Sequence, residues 1–212
     1  MNMKKQNISD AVIRRLPRYY RYLNDLQKKE TIRVSSNLLS SKMGFTASQI
    51  RQDFSCFGEF GQQGYGYNVE DLKREISQIL GMDRGHHIVL VGVGNLGHAL
   101  LNNFNFNSCG FAMDCAFDVD PSLVGTEING TQIYHSEKMA EIFAEKGTPD
   151  VAILCVPKHV AQKLTDELVE MGVRGFWNIT NMELNSAVPG VEFEDIHLSD
   201  SLLTLSYRIS NK

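Results

Sequence analysis

Hydrophobic positions in the first eighty residues recur at helical spacing. Ile8, Val12 and Leu16 make one short stripe, and Pro17 suits the first turn of a second helix whose Tyr19, Leu23 and Leu26 fall at i, i+4 and i+7. After the polar break Lys28-Lys29-Glu30, a helix introduced by Val34-Ser35-Ser36 carries Leu38 and Leu39 and stops at Gly44. Thr46-Ala47-Ser48-Gln49 fits a capping box, in which the Thr hydroxyl accepts a backbone N–H and the Gln side chain reaches back to the cap. In the helix that begins there, Ala47, Ile50 and Phe54 are expected to face inward and Ser48, Gln49, Arg51 and Gln52 outward. Residues 58–67 hold four glycines and three aromatics, the composition of a twisted hairpin. From Asn68, an N-cap followed by Glu70 and Asp71, a helix with Leu72, Ile76 and Ile79 runs to Gly81.

Beyond that point the period changes. Apolar runs at 87–91, 113–117, 131–134, 150–155 and 175–179 alternate with helical patterns, clearest at 137–146 and 159–171. A strand-like piece at 191–196 precedes a terminal helix striped by Leu198, Leu202, Leu205 and Ile209, with Tyr207 nearby. The expected fold is α/β: an N-terminal winged helix-turn-helix domain (1–82), a Rossmann-like parallel-sheet domain (83–196) and a C-terminal dimerisation helix (197–212) that packs on, or exchanges into, a second subunit. Residues 81–85 (Gly-Met-Asp-Arg-Gly) make the best boundary.

Charge sharpens that division. Residues 1–68 carry 11 Lys/Arg against 5 Asp/Glu, whereas the remainder carries 10 against 20, so a total of −4 conceals a basic and an acidic part. Polyanions are the natural partners of the first. Two short helices joined by a Gly-containing turn describe a helix-turn-helix, and a hairpin after them is a wing. Double-stranded DNA is thus the expected partner, with Arg14, Arg15, Arg18, Ser35, Ser48, Gln49, Arg51, Gln52, Gln62, Gln63 and Tyr65 as candidate contacts. An ordinary solvated face is the alternative. The four cysteines form no Cys-x-x-Cys pair, which predicts reduced structural thiols and no metal site. No apolar run approaches a membrane span and the start lacks the apolar core of a signal peptide, so a cytoplasmic protein with no membrane partner is expected.

The densest chemical signal is Gly92-Val93-Gly94-Asn95-Leu96-Gly97, which follows an apolar run, opens a helical one, and has Asp118 21 residues past its last glycine. The first glycine permits the strand-to-helix turn, the second lets backbone approach a pyrophosphate, and the third allows close helix-to-sheet packing. Asp118 would accept from the adenine-ribose hydroxyls and repel a 2′-phosphate, favouring NADH/NAD⁺. Asp120 adds to that repulsion or shapes the turn at Pro121. Pro157 and Thr180 follow later strands at the carboxyl edge, and an apolar pocket of Pro157, Ile179 and Leu198 would disfavour the charged nicotinamide of NAD⁺. Hydride-transfer enzymes also need groups that handle a proton and orient a substrate. Only about thirty residues follow Thr180, too few for a substrate domain, and His98, His159 and His197 have no identified partners. No catalytic residue is assigned. The alternatives are a compact NAD-dependent oxidoreductase and a regulator sensing another nucleotide, such as coenzyme A.

Several motifs together resemble one family: Arg15-Leu16-Pro17, Tyr19-Tyr20-Arg21, Arg33-Val34-Ser35-Ser36, Ile50-Arg51-Gln52-Asp53-Phe54-Ser55, Gly64-Tyr65-Gly66-Tyr67-Asn68-Val69, the glycine run, and Phe117-Asp118-Val119-Asp120. They resemble the redox-sensing transcriptional repressors called Rex, over nearly the whole chain. The resemblance implies a homodimer with winged-helix and Rossmann domains, a C-terminal helix exchanged between subunits, and repression of fermentation and respiration genes relieved by NADH. The chain departs from the family at Gln52 and at Gln62-Gln63, where basic residues are frequent, so operator affinity or spacing is expected to differ. His197 stands where an acid is common and Asn181 where proline is frequent. His197 is expected to add pH sensitivity.

Overall fold

The helical stripes of the first eighty residues converge on one core, and the apolar runs that follow line up as one sheet. The computed structural model describes residues 8–57 and 65–211. Chain contacts divide it into two units, Met1–Arg84 and Gly85–Lys212.

The first unit holds α1 (Asp10–Ile13), α2 (Leu16–Lys28), β1 (Arg33–Val34), α3 (Ser36–Met43), α4 (Ala47–Ser55), β2 (Tyr67–Asn68) and α5 (Val69–Ile79). Leu16, Tyr19 and Leu23 from α2, Leu39 from α3, Ile50 and Phe54 from α4, and Leu72 and Ile76 from α5 are buried together. Each such side chain contributes roughly 1.5–3 kcal/mol by leaving water. Leu16 belongs to α2, with Pro17 in its first turn, and not to the stripe of α1. Capping follows the sequence: Thr46 Oγ1 accepts from Gln49 N at 3.1 Å and Asn68 Oδ1 from Asp71 N at 3.1 Å. The return half of the capping box is absent, because Gln49 lines a cleft with Arg15, Gln52 and Asp53 instead of turning back to Thr46. The α3–α4 turn uses Gly44 in the left-handed region, φ +71°. Residues 33–34, expected to lead into a helix, form a strand that pairs antiparallel with β2, Arg33 opposite Asn68 and Val34 opposite Tyr67. Residues 58–64 of the expected hairpin lie outside the described residues.

The second unit begins with β3 (His86–Val91) and α6 (Asn95–Asn103). It continues through a 3-10 turn at Phe106–Cys109, β4 (Phe111–Asp118), β5 (Glu127–Ile128), β6 (Thr131–His135), α7 (Met139–Lys146), β7 (Val151–Leu154) and α8 (Lys158–Glu170). β8 (Gly175–Asn178), β9 (Glu192–Asp195) and α9 (Leu198–Ser210) complete it. The sheet order is β5-β6-β4-β3-β7-β8-β9, parallel except for the β5–β6 hairpin. Side chains of β3 alternate between two cores. Ile88 and Leu90 join Leu101, Ala116 and Ile153 on one face, and Val89 and Val91 join Phe117, Ala161 and Leu168 on the other. The chain leaves β3 for β4 on one side and returns to β7 on the other, so the end of β3 is a topological switch point, where open parallel sheets bind ligands. None of the residues of α9 is buried. Among the described residues no helix is long and apolar enough to cross a membrane.

Candidate functional site

The outward face of α4 is set by what holds its inward face. Ile50, Asp53 and Phe54, at i, i+3 and i+4, are buried at 0%, 2% and 2% exposure. A buried carboxylate needs compensation, and Asp53 has it: Arg15 donates from Nε to Oδ2 at 2.7 Å and from Nη2 to Oδ1 at 2.8 Å, and Tyr19 Oη donates to Oδ2 at 2.7 Å. Burial, reinforced by Asp53, pushes the Tyr19 phenol far above its usual range and keeps it a donor. The fork–fork pair between Arg15, the N-cap of α2, and Asp53 of α4 fixes the roll of α4 about its axis. Ser48, Arg51 and Gln52 are therefore exposed together, with Gln49 half-buried beside them.

The other expected DNA contacts lie around this face. Arg15 is committed to Asp53. Arg18 donates from Nη2 to Met43 O at 2.9 Å and stacks over Phe45 at 4.5 Å, bracing the α3–α4 turn. Arg14 Nε donates to Asp10 Oδ2 at 2.8 Å on the surface. Ser35 Oγ caps α3, accepting from Leu38 N at 3.1 Å. Tyr65 is exposed, at the described base of the expected wing. Gln62 and Gln63 lie outside the described residues. Asp53, at the heart of the arrangement, was not among the expected contacts. Its signal was a carboxylate at a position the helical period turns inward.

The glycine loop offers backbone. Gly92 has φ +94°, and a Cβ there would lie 2.5 Å from Cys155 O; one on Gly97 would lie 2.0 Å from Gly92 O. Both glycines are thus required by packing. Gly94 differs, because its backbone is extended and a Cβ would meet nothing within 4 Å. It is the N-cap of α6, without any side-chain cap, so the first N–H groups of that helix face the open space that Gly94 leaves. Asn95 and Leu96 are exposed there, whereas Val93 turns its side chain into the core and contributes backbone only.

Asp118, at the end of β4, is tied to this loop: Oδ2 accepts from Val93 N, and Oδ1 accepts from Asp120 N at 2.8 Å. The carboxylate is held beside the loop with acceptor capacity remaining on both oxygens. Asp120 accepts from Ser122 Oγ at 2.7 Å and Ser122 N at 2.8 Å, bonds that hold its carboxyl below the usual range, so it shapes the turn and is also a fixed negative charge. An uncapped helix, an open flank at Gly94 and a positioned carboxylate fit the phosphates and ribose of a dinucleotide.

Towards β8 the expectations fare differently. Thr180 is 6% exposed, and its N and Oγ1 donate to Asn178 Oδ1 at 3.0 and 2.6 Å. Asn178 Nδ2 in turn donates to Met182 O and Asp195 Oδ1, both at 2.6 Å. The network fixes the 178–182 turn, and that placement is what Thr180 contributes. The three residues expected around the nicotinamide differ in burial within one chain. Pro157 is exposed, Leu198 is 64% exposed on α9, and Ile179 packs against the cluster of Ile88, Leu90 and Ile153.

His197 Nδ1 lies 3.2 Å from Asn181 Oδ1 at the start of α9. Among the described residues, neither it nor His98 nor His159 pairs with a carboxylate. The cysteines are free, and burial pushes the Cys115 and Cys155 thiols up to about 11, which makes them unreactive. No group of three or more metal-ligating side chains occurs among the described residues.

Comparison with known proteins places both units. A family model described as "Putative DNA-binding protein N-terminus" matches residues 7–55, and one described as "CoA binding domain" matches residues 83–182. The redox-sensing transcriptional repressor Rex of Caldicellulosiruptor bescii is 50% identical over 210 residues, 99% of this chain and 95% of that protein. The crystal structure of a repressor called RSP in complex with β-NAD⁺ and operator DNA is 46% identical with a TM-score of 0.89, covering 98% of this chain and 94% of RSP. RSP in complex with β-NADH is 43% identical, also with a TM-score of 0.89, covering 98% and 96%.

Proposed function

The chain belongs to the Rex family of redox-sensing transcriptional repressors, and we propose that it reads operator DNA through the outward face of α4 and reads the cellular NADH/NAD⁺ balance through the loop at Gly92–Gly97. It is a regulator and not an enzyme. The observation that carries this reading is end-to-end similarity to a repressor solved both with operator DNA and NAD⁺ and with NADH. The "CoA binding domain" match covers the nucleotide-binding part alone, whereas the Rex similarity includes the DNA-binding unit.

The coupling is two-state. NADH and NAD⁺ share adenine, ribose and pyrophosphate, so Asp118, the α6 N-terminus and Gly94 bind both forms. Discrimination comes from the nicotinamide, charged in NAD⁺ and neutral in NADH. NADH releases the repressor only as far as it binds the released arrangement better, and moving 1:99 to 99:1 takes roughly 5.5 kcal/mol of differential binding. The repressor acts as a homodimer. Exposed Leu198, Leu202, Leu205 and Ile209 on α9 support the reading that this helix is exchanged between the two copies. So does an apolar cleft of about 510 Å³ in the second unit, lined by Phe104, Phe111, Ile153 and Trp177. A winged-helix domain at 1–82, a nucleotide domain at 83–196 and an exchanged helix at 197–212 is the organisation this implies. Its targets are genes of fermentation and respiration, and its place of work is the cytoplasm, where that DNA lies.

A mobility-shift titration of the protein–operator complex across NADH/NAD⁺ ratios tests the reading. NADH is expected to dissociate a complex that excess NAD⁺ and excess coenzyme A leave intact. A complex indifferent to NADH would sink the redox switch, and one released by coenzyme A would reassign its ligand.

A further inference from the structure

Arg51 is tethered by a residue outside the expected set of DNA contacts. Its Nη1 donates to Ser36 Oγ at 3.0 Å, a bond that spans the helix-turn-helix from α4 to the first residue of α3. The same guanidinium lies within electrostatic reach of Tyr67 on β2, whose phenol is pushed up by burial and drawn back down by the charge of Arg51. Among the described residues Nε and Nη2 have no hydrogen-bond partner, and Arg51 is exposed. The tether thus uses one corner of the fork and leaves the adjacent Nε–Nη2 edge open. That edge carries two parallel N–H donors, the pattern that pairs with O6 and N7 of guanine in the major groove.

We propose that Ser36 is a positioning residue for operator recognition: its hydroxyl holds Arg51 so that the Nε–Nη2 edge meets a guanine already oriented. The proposal rests on the reading of α4 as the operator-reading helix. A free arginine on a helix surface loses rotamer freedom when it docks, which costs about 0.5–1.5 kcal/mol per immobilised side chain. A side chain held in place beforehand has lost much of that freedom already. The bond serves recognition more than folding, because one exposed hydrogen bond adds little stability, and α3 keeps its cap on Ser35 whatever stands at 36.

The test is a double-mutant cycle on the full-length protein, with affinity for operator and for a scrambled duplex measured across salt. Ser36→Ala is expected to weaken operator binding about three- to tenfold while leaving scrambled-duplex affinity, salt slope and thermal stability unchanged. Ser36→Thr keeps the hydroxyl and is expected to restore binding. On an Arg51→Ala background, Ser36→Ala is expected to cost nothing further. Equal loss on both duplexes with a shallower salt slope would make Ser36 a phosphate contact, and an undiminished effect without Arg51 would show that it acts by another route; either overturns the proposal. If Arg51→Ala lowers specificity but Ser36→Ala does not, positioning fails while the reading of α4 stands. If Arg51→Ala leaves the operator-to-scrambled ratio intact, Arg51 is no base contact and both fall.

Discussion

On α4 the groups turned outward are side chains, Ser48, Gln49, Arg51 and Gln52, and what orients them is a buried carboxylate clamped by Arg15 and Tyr19. On α6 the groups turned outward are backbone amides, and what orients them is the absence of side chains at Gly92 and Gly97. On the proposed reading both face anions, and the difference suits the information each would extract. A base sequence varies from operator to operator, so its reader is made of replaceable parts. A pyrophosphate never varies, so its cradle is main chain. Substitutions on α4 should therefore tune recognition, and substitutions in the glycine loop should abolish it.

The largest effect expected is on the clamp. Asp53→Ala leaves the Arg15 guanidinium, 19% exposed, without its partner and the buried Tyr19 hydroxyl without an acceptor. Breaking such a pair from one side costs about 3–5 kcal/mol, a large share of what a small domain has. Denaturant unfolding of the first unit should show that loss, with operator binding lost through it. Full stability combined with lost binding would mean Asp53 touches DNA itself, and the contrast between a buried support and an exposed reader would collapse.

The glycines come next, and they differ from each other. Gly97→Val drives a side chain into Gly92 O, so the helix must move off the sheet at a cost of about 1–3 kcal/mol, and nucleotide binding goes with it. Gly94→Val has room within the chain and a backbone any residue adopts, so thermal stability should stay within about 0.5 kcal/mol while the NADH response disappears. Unaltered NADH affinity in Gly94→Val would place the nucleotide elsewhere.

The glycine loop with its strand and helix was legible in the sequence because it is local, and Asp118, 25 residues from Val93, was legible because the motif fixes the spacing of its acid. The caps at Thr46 and Asn68 were legible because they too are local. Asp53 was not, because its partner Arg15 is 38 residues away and no periodicity links them. The β1–β2 ribbon pairs two-residue strands more than thirty residues apart, too short to show alternation. What α9 packs against was not legible either, because Leu198 belongs to a core-like stripe that a single chain leaves in water. Local chemistry marks what a segment can do; what it packs against is decided at long range.

Asp118 is a side chain tied to the glycine loop from the end of β4, and Asp118→Asn asks how much of the proposed nucleotide site is side chain after all. The amide keeps an acceptor for the ribose hydroxyls and loses the charge that repels a 2′-phosphate. The preference for NADH over NADPH is expected to narrow about tenfold, or 1.4 kcal/mol, by titration calorimetry. An unchanged preference would assign cofactor choice to Asp120 or to the backbone alone.

The smallest effect expected lies where the second unit does use a side-chain pair. The β3–β4 register skips Asp114, pairing Ile88 with Met113 and Val89 with Cys115. The bulge aims Asp114 Oδ1 at His87 Nδ1, 2.7 Å away. That hydrogen bond, and then the carboxylate charge, raises the pKa of His87. A group whose folded pKa is raised stabilises fully below its unfolded pKa, about 6.5 for His, and loses that contribution as pH rises through the folded value. His87 is mostly exposed, so solvent screens the pair and the gain is small. The melting-temperature gap between wild type and His87→Gln should be widest near pH 5.5 and close by pH 8, with NADH affinity unaffected at both. A gap independent of pH would remove the ion pair as its cause. Loss of NADH affinity would show that side chains at the far end of β3 reach the loop, against the contrast drawn between the two sites.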